Sequence, residues 1–341
     1  MKLQEHVPLA PRTTFALGGP ARGLVEVHDE DEVREALAFA RSRGWPVLVL
    51  GGGSNLVVAD AGFAGLVLAM ASRGVRVDDG GLVTCAAGEP WDLFVEAMVA
   101  RGLAGLECLA GIPGLVGATP IQNVGAYGQE VSASIVRVRS LVVDTGEARE
   151  RTTAECGFGY RSSIWKTTPI REVVTEVTFQ LRPGGAVSVR YDELARALAK
   201  EPDQSLARVR EVILGLRRAK SMVYDPRDPN HRSAGSFFMN PIVDVAVADA
   251  IAASTAPAVP PRFPAEGGKV KLAAAWLIER AGFPKGTRRG NVGQSSAHAL
   301  ALVQHGGATS AELVAFAEEI VAAVRVRFGV TLEAEPVRVG F

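Results

Sequence analysis

Residues 111–128, GIPGLVGATPIQNVGAYG, carry five glycines and two prolines in one unbroken stretch. That density is incompatible with a regular helix or strand, because glycine weakens both and proline removes a backbone donor. Where Gly111, Gly117, Gly125 and Gly128 stand, the chain can adopt positive φ and let a ligand approach bare backbone. Between them Ala118, Thr119, Pro120, Ile121 and Ala126 are small or apolar. Gln122 and Asn123 add amide donors and acceptors, and Tyr127 adds an aromatic ring with a polar tip. Two readings stay open from these residues: a loop around a phosphate-bearing cofactor, its successive N–H groups forming an anion nest, or a long irregular connection between strands.

A second glycine turn precedes it. Residues 46–50, PVLVL, read as an apolar strand that ends in Gly51, Gly52, Gly53, Ser54 and Asn55. A dinucleotide-binding fingerprint would need GxGxxG opening a helix. Here Leu56, Val57 and Val58 follow, which read as another strand, and no GKS or GKT follows for a P-loop. The turn is therefore a second cofactor contact or a tight strand-to-strand connection.

At 341 residues the chain exceeds what one core usually fills, so two or three domains are expected. Lysine plus arginine equals aspartate plus glutamate at 37 each. No net field recruits nucleic acid or a membrane surface, and any anion must be held by local groups. Three cysteines without CxxC spacing and five scattered histidines argue against disulfides and against a metal site. With no apolar run near the roughly 20 residues of a membrane span, a cytoplasmic protein is expected.

Asp29 with Glu32 three positions on predicts a helix start, and Val33, Ala36, Leu37 and Ala40 recur at helical spacing until Gly44. Strands are predicted over residues 24–27, 75–77, 82–87, 135–143 and 173–181. A helix is predicted with Pro90 as its first residue, Trp91, Phe94, Val95 and Met98 on its apolar face and Gly102 at its end. Further on, helices are predicted over 192–200, 205–220, 271–281 and 310–327, a short strand over 235–241, a surface loop over 252–264 and a strand-like tail over 330–341. The fold class is α+β.

Taken in order, TTFALGGPA, GGGSN, IPGLVGATPIQNVGAYG, GYRSSIWK at 159–166, GSFFMNP at 235–241 and LEAEPV near the C-terminus resemble the UDP-N-acetylenolpyruvoylglucosamine reductases, the UDP-N-acetylmuramate dehydrogenases of peptidoglycan synthesis. The resemblance spans nearly the whole chain. Tyr191, in VRYDEL, resembles the subtype that keeps a substrate-covering tyrosine loop. The family implies a two-part FAD-binding domain of the vanillyl-alcohol oxidase type over 12–183, with subdomains about 12–70 and 71–183. A smaller α+β substrate domain over 205–328 and a C-terminal strand over 329–341 returning to the active site complete it.

The resemblance also implies residue roles. FAD, held non-covalently, would lie against residues 51–55 and 111–128, with NADPH as hydride donor and a UDP-sugar as substrate. Ser236 would supply a proton, and Arg161 and Glu335 would stabilise an enolate-like intermediate. Tyr191, Lys220 and Asn240 would bind substrate. A monomer is expected. A flavin oxidase on the same scaffold is the nearest alternative, weakened by the lack of a His or Cys anchor near the N-terminus. Met239 stands where many relatives carry lysine, and His298, where some carry glutamine, is left without a role.

Overall fold

The structure is a computed structural model and describes residues 1–168, 170–187 and 189–341. The first helix, Glu30–Arg43, begins as its spacing predicts. The Asp29 side chain accepts the Glu32 amide at 2.8 Å, and Gly44 ends the helix at φ 62°. Its apolar stripe, Val33, Ala36, Leu37 and Ala40, is buried. The chain then divides into two compact units, the first made of residues 1–8, 20–53 and 63–224, the second of 9–19, 54–62 and 225–341.

In the first unit, the strands Pro20–Val27, Phe63–Met70 and Val47–Leu50 run parallel in that spatial order, with Gln4–Pro8 antiparallel on the outer edge. A second, antiparallel sheet is ordered Ala148–Thr152, Ile135–Val142, Glu172–Gln180, Leu82–Ala86 and Val75–Val77. Leu141, Val143 and Val173 of this sheet region share one core with Val25, Leu37 and Leu68. An ion pair closes the same junction: Arg139 Nε donates to Glu30 Oε1 at 2.6 Å, and Thr175 Oγ1 adds a bond of 2.8 Å to that oxygen.

The helix Trp91–Ala100 buries Trp91, Phe94, Val95 and Met98. Pro90, expected as its first residue, is instead the extended N-cap at ψ 125°. The helices Asp192–Leu198 and Leu206–Arg218 belong to this unit as well. Leu194, Leu198, Val209, Ile213 and Leu214 sit in one core with Trp91, Val177 and Phe179, and the first unit runs to residue 224.

The second unit is organised by a parallel pair, Leu56–Val58 with Val337–Val339. Its longest helix, Ser310–Phe328, has a full capping box between Thr309 and Glu312 and ends at Gly329, φ 68°. Asp60 accepts the Ser310 and Ala311 amides at 2.7 and 3.0 Å, placing a carboxylate at the positive end of that helix. Phe15, Val57, Phe237, Phe238, Leu277 and Ile320 share its core. Segments 9–19 and 54–62 are thus part of this unit although they lie inside the span expected for the flavin domain.

Three local expectations are corrected. Residues 271–281 are not one helix: Val270–Leu272 is a strand paired on both sides, and the helix is Ala274–Arg280. Strand alternation at Val270 and Leu272 overrides the apolar spacing that continues beyond them. Within 252–264, expected as loop, the helix Val245–Thr255 ends and the strand Arg262–Pro264 forms. In the tail, only Val337–Val339 is a strand. Among the described residues no helix is long and apolar enough to cross a membrane.

The Glu30 junction has a pH signature. Hydrogen bonding to the Arg139 guanidinium holds the Glu30 carboxyl down at about 2, below its ordinary 4.5. A depressed carboxylate adds stability that is present above the unfolded value and is lost as pH falls through the folded one. Glu30→Gln is therefore expected to flatten the fall in stability between pH 4.5 and about 2, measured by urea unfolding at stepped pH; an unchanged slope would remove this pair from acid sensitivity.

Candidate active site

The edge strand Val47–Leu50 of the parallel sheet runs directly into Gly51, Gly52 and Gly53. Carboxyl ends of parallel strands are where open α/β sheets take ligands. The turn lies against the longer glycine loop: a Cβ on Gly52 would come within 2.8 Å of Gly114 Cα, and Leu115 Cδ1 is 3.7 Å from the Cβ position of Gly51. Gly51 and Gly52 of the first stretch assigned to the cofactor are therefore brought against the second within the first unit. Gly52 is exposed and Gly114 half-buried, leaving accessible backbone. That bare double turn fits a dinucleotide's phosphates and ring.

The expected nest of free N–H groups is corrected over residues 116–119. The Val116, Gly117, Ala118 and Thr119 amides donate to the carbonyls of Glu89, Ala87, Leu115 and Val116. Gly117 is packed so closely that a Cβ would reach within 2.5 Å of Ala87 Cβ. Gly111 N–H is held by Asp92 at 2.6 Å, and Val124 N–H by Thr119 O at 3.1 Å. This segment is a tightly bonded scaffold. Pro120 is buried and Ala118 exposed; Ile121, Gln122, Gly125 and Ala126 are half-buried.

Arg161 is fastened to this loop. Its Nη2 donates to Gly125 O, and its Nη1 lies 4.0 Å from Glu130. Asn123 joins the same knot, its amide donating to Glu130 and to Gly159 O, both at 2.9 Å. The Ser163 hydroxyl donates to Ile121 O. Asn123, Tyr127 and Arg161 all hold positive φ, at 45°, 49° and 51°. Non-glycine residues reach that region at a cost, and such strain gathers at functional sites.

Beyond Gly128 the loop meets an aromatic pair. Tyr127 and Tyr191 pack edge to face at 5.6 Å, Lys220 Nζ lies 5.7 Å from the Tyr127 ring, and Lys220 also binds Glu193 at 2.6 Å. Burial pushes the Tyr127 phenol up to about 12, and Tyr191, 40 % exposed, is shifted the same way by burial. Arg217 lies beneath. It is buried, donates to Gly111 O at 3.3 Å and Met222 O at 2.8 Å, and leaves its buried Nε without a partner. Burial depresses its pKa. Sequence reading passed over Arg217, yet its place on the stripe of Val209, Ile213 and Leu214 is legible from helical spacing.

In the second unit, residues 236–238 run between two neighbouring backbones. Ser236 bridges Ala301 and Phe238 bridges Ala334. Phe237 N–H donates to Leu300 O at 2.7 Å, and Glu335 N–H donates to Phe237 O at 2.8 Å. Glu335 is half-buried while Glu333 is exposed. Asn55 Nδ2 donates to Glu335 O at 3.3 Å, so part of the GGGSN motif meets the C-terminal glutamate here; Ser54, half-buried, belongs to this unit too. Asn240 Oδ1 accepts the Ala274 amide at 2.9 Å and so holds the start of the helix Ala274–Arg280. His298, left without a role by sequence, lies 3.4 Å from Ser236 Oγ through Nε2. The three thiols, Cys85, Cys108 and Cys156, are buried, and burial raises all three pKa values. No cluster of metal ligands occurs among the described residues.

Residues 21–151 match an FAD binding domain, and residues 227–339 match the C-terminal domain of UDP-N-acetylenolpyruvoylglucosamine reductase. The chain is 50 % identical to UDP-N-acetylenolpyruvoylglucosamine reductase of Streptomyces avermitilis over 98 % of this chain and 94 % of that one. The reductase of Thermobifida fusca is also 50 % identical, over 98 % and 97 % of the two chains. Among solved structures, the reductase of Thermus caldophilus is similar at a TM-score of 0.68 and 26 % identity, covering 99 % of each chain.

The contact of Gly52 with Gly114 gives a direct test. Gly52→Ala is expected to weaken FAD retention about tenfold or more, since overpacking against backbone typically costs 1–3 kcal/mol. Gly215→Ala, at a helix position with open space around it, serves as the control that keeps its flavin. Visible absorbance of the two purified variants decides it; full flavin content in Gly52→Ala would show that the turn has no part in the cofactor site.

Proposed function

The chain belongs to the UDP-N-acetylenolpyruvoylglucosamine reductase family, and from that premise we propose that it reduces UDP-N-acetyl-enolpyruvoylglucosamine to UDP-N-acetylmuramate, with NADPH as the electron source. FAD, held by the domain matched over residues 21–151, would supply the hydride chemistry between NADPH and substrate. The reaction serves peptidoglycan precursor synthesis in the cytoplasm, and the working unit is a monomer.

Hydride addition beside a carboxylate leaves negative charge on that carboxylate and on the adjacent carbon, so the chain must supply fixed positive donors and one proton. Arg161 takes the carboxylate with its planar fork, whose five donors suit bidentate contact. Its anchorage to Gly125 O and its strained backbone support that role, because they fix the guanidinium before substrate arrives. Ser236 hands its hydroxyl proton to the carbon. Glu335 stabilises the same charge, as a donor when protonated or by orienting partners.

The observation that carries the assignment is the bond from Glu335 N–H to Phe237 O at 2.8 Å. It sets two residues named from separate motifs on adjacent backbones beside buried Phe237 and Phe238. For the nucleotide, Tyr191 closes over the diphosphate and Lys220 exchanges its Glu193 partner for phosphate oxygens. The Asn240 NH₂ is directed to substrate, since its Oδ1 is committed to the Ala274 amide.

Stopped-flow absorbance separates the steps. In Ser236→Ala, flavin reduction by NADPH is expected to persist while reoxidation by the enolpyruvyl sugar nucleotide slows by about 10² to 10⁴, the range for a lost general acid. Unchanged reoxidation would take Ser236 out of the mechanism. Arg161→Lys keeps the charge but loses the fork; its reoxidation is expected to fall by about tenfold or more, and full activity would show that two-point contact is unnecessary.

A further inference from the structure

The serine hydroxyl has one hydrogen, and a proton donor must aim it at substrate. Among the described residues, Ser236 Oγ meets one side-chain partner, His298 Nε2, at 3.4 Å. If Nε2 carried no hydrogen, it would draw the serine hydrogen toward itself and away from any carbon. If it carries one, it can only donate to Oγ, which leaves the serine hydrogen to point elsewhere. The two tautomers therefore give Ser236 opposite functions.

The loop that bears His298 is built to hold it still. Ser295, 1 % exposed, accepts the Ala297 and His298 amides on its Oγ at 3.1 and 3.3 Å. Gln294, equally buried, donates to Ala299 O at 2.8 Å. His298 O accepts the Ala301 amide at 3.1 Å, and Ala301 is the bridge partner of Ser236. The imidazole and the hydroxyl are thus presented from two backbones bonded to each other. Their separation is long for a hydrogen bond, as is common before substrate draws a site together.

We propose that His298 is a positioning residue for Ser236, donating its Nε2–H to Ser236 Oγ and so turning the serine hydrogen toward the substrate carbon. This rests on the reading of Ser236 as proton donor. As the O–H bond breaks and the C–H bond forms, the bonding pair stays on Oγ, and the Nε2–H already faces the charge that develops there. Oγ then regains a proton from water. His298 gives up no proton in the step; it needs only to be a donor at a fixed place, which an amide can also be.

The test uses the full-length flavoprotein. Nitrogen-15 NMR of histidine-labelled holoenzyme is expected to show His298 with its hydrogen on Nε2, and that signal is expected to move in Ser236→Ala. With the flavin reduced by dithionite, His298→Ala is expected to slow reoxidation by the enolpyruvyl sugar nucleotide about 10²-fold, the loss typical of one fixed donor at a developing anion. His298→Gln, which restores an N–H donor, is expected to recover to within about tenfold of the native rate. A bare Nε2, an unaffected His298→Ala, or a His298→Gln as slow as His298→Ala each overturns the proposal. Where Ser236→Ala is slow and His298→Ala is not, this inference alone fails; where Ser236→Ala itself is unimpaired, the reading of Ser236 fails and takes this inference with it. Should His298→Ala lose its flavin, the NMR tautomer and the glutamine variant still decide.

Discussion

The parallel pairing of Leu56–Val58 with Val337–Val339 is the constraint on which the second unit depends. Parallel strands cannot be closed by a tight turn, and here some 280 residues separate the partners, as the Asn55 to Glu335 bond measures. The pairing fixes the register of the chain's end. With that register set, Glu335 N–H reaches Phe237 O, Phe238 bridges Ala334, and Ser236 takes its place beside Ala301. Gly340 belongs to the same lock, since a Cβ there would stand 2.1 Å from Gly62 O.

In the first unit the equivalent constraint is backbone-to-backbone packing of glycines. Gly52 against Gly114 and Gly117 against Ala87 leave no space for side chains. Around this scaffold the knot of Asn123, Glu130, Gly159 and Arg161 holds non-glycine residues in left-handed conformations that ordinarily cost on the order of 1–3 kcal/mol each. Several hydrogen bonds must therefore over-determine each of them.

Much of this was legible in residue order. The capped start of the first helix and its glycine stop at 44 are local signals with local causes, and the structure repeats them. Resemblance to the family named Arg161, Ser236 and Glu335, and the structure sets the last two on adjacent backbones. Local signals misled where pairing partners outvoted them, as at Val270–Leu272, whose two neighbouring strands make it a strand despite helical spacing onward. Arg217 was visible as a cation on an apolar stripe, but its unpartnered buried Nε is a fact of three-dimensional surroundings.

By itself the sequence determined where backbone must be bare and where helices start and stop, because each is written within a few consecutive residues, and which family the chain resembles, because six motifs follow one another in the family's order. Only the tertiary structure decided that residues 54–62 leave the flavin-side unit, that the helix Leu206–Arg218 joins it, that amides of residues 116–119 serve the scaffold, and that His298 faces Ser236. Those outcomes turn on which distant surfaces bury each other and which distant carbonyl is nearest to a given N–H. Neither quantity is encoded in any single stretch of chain.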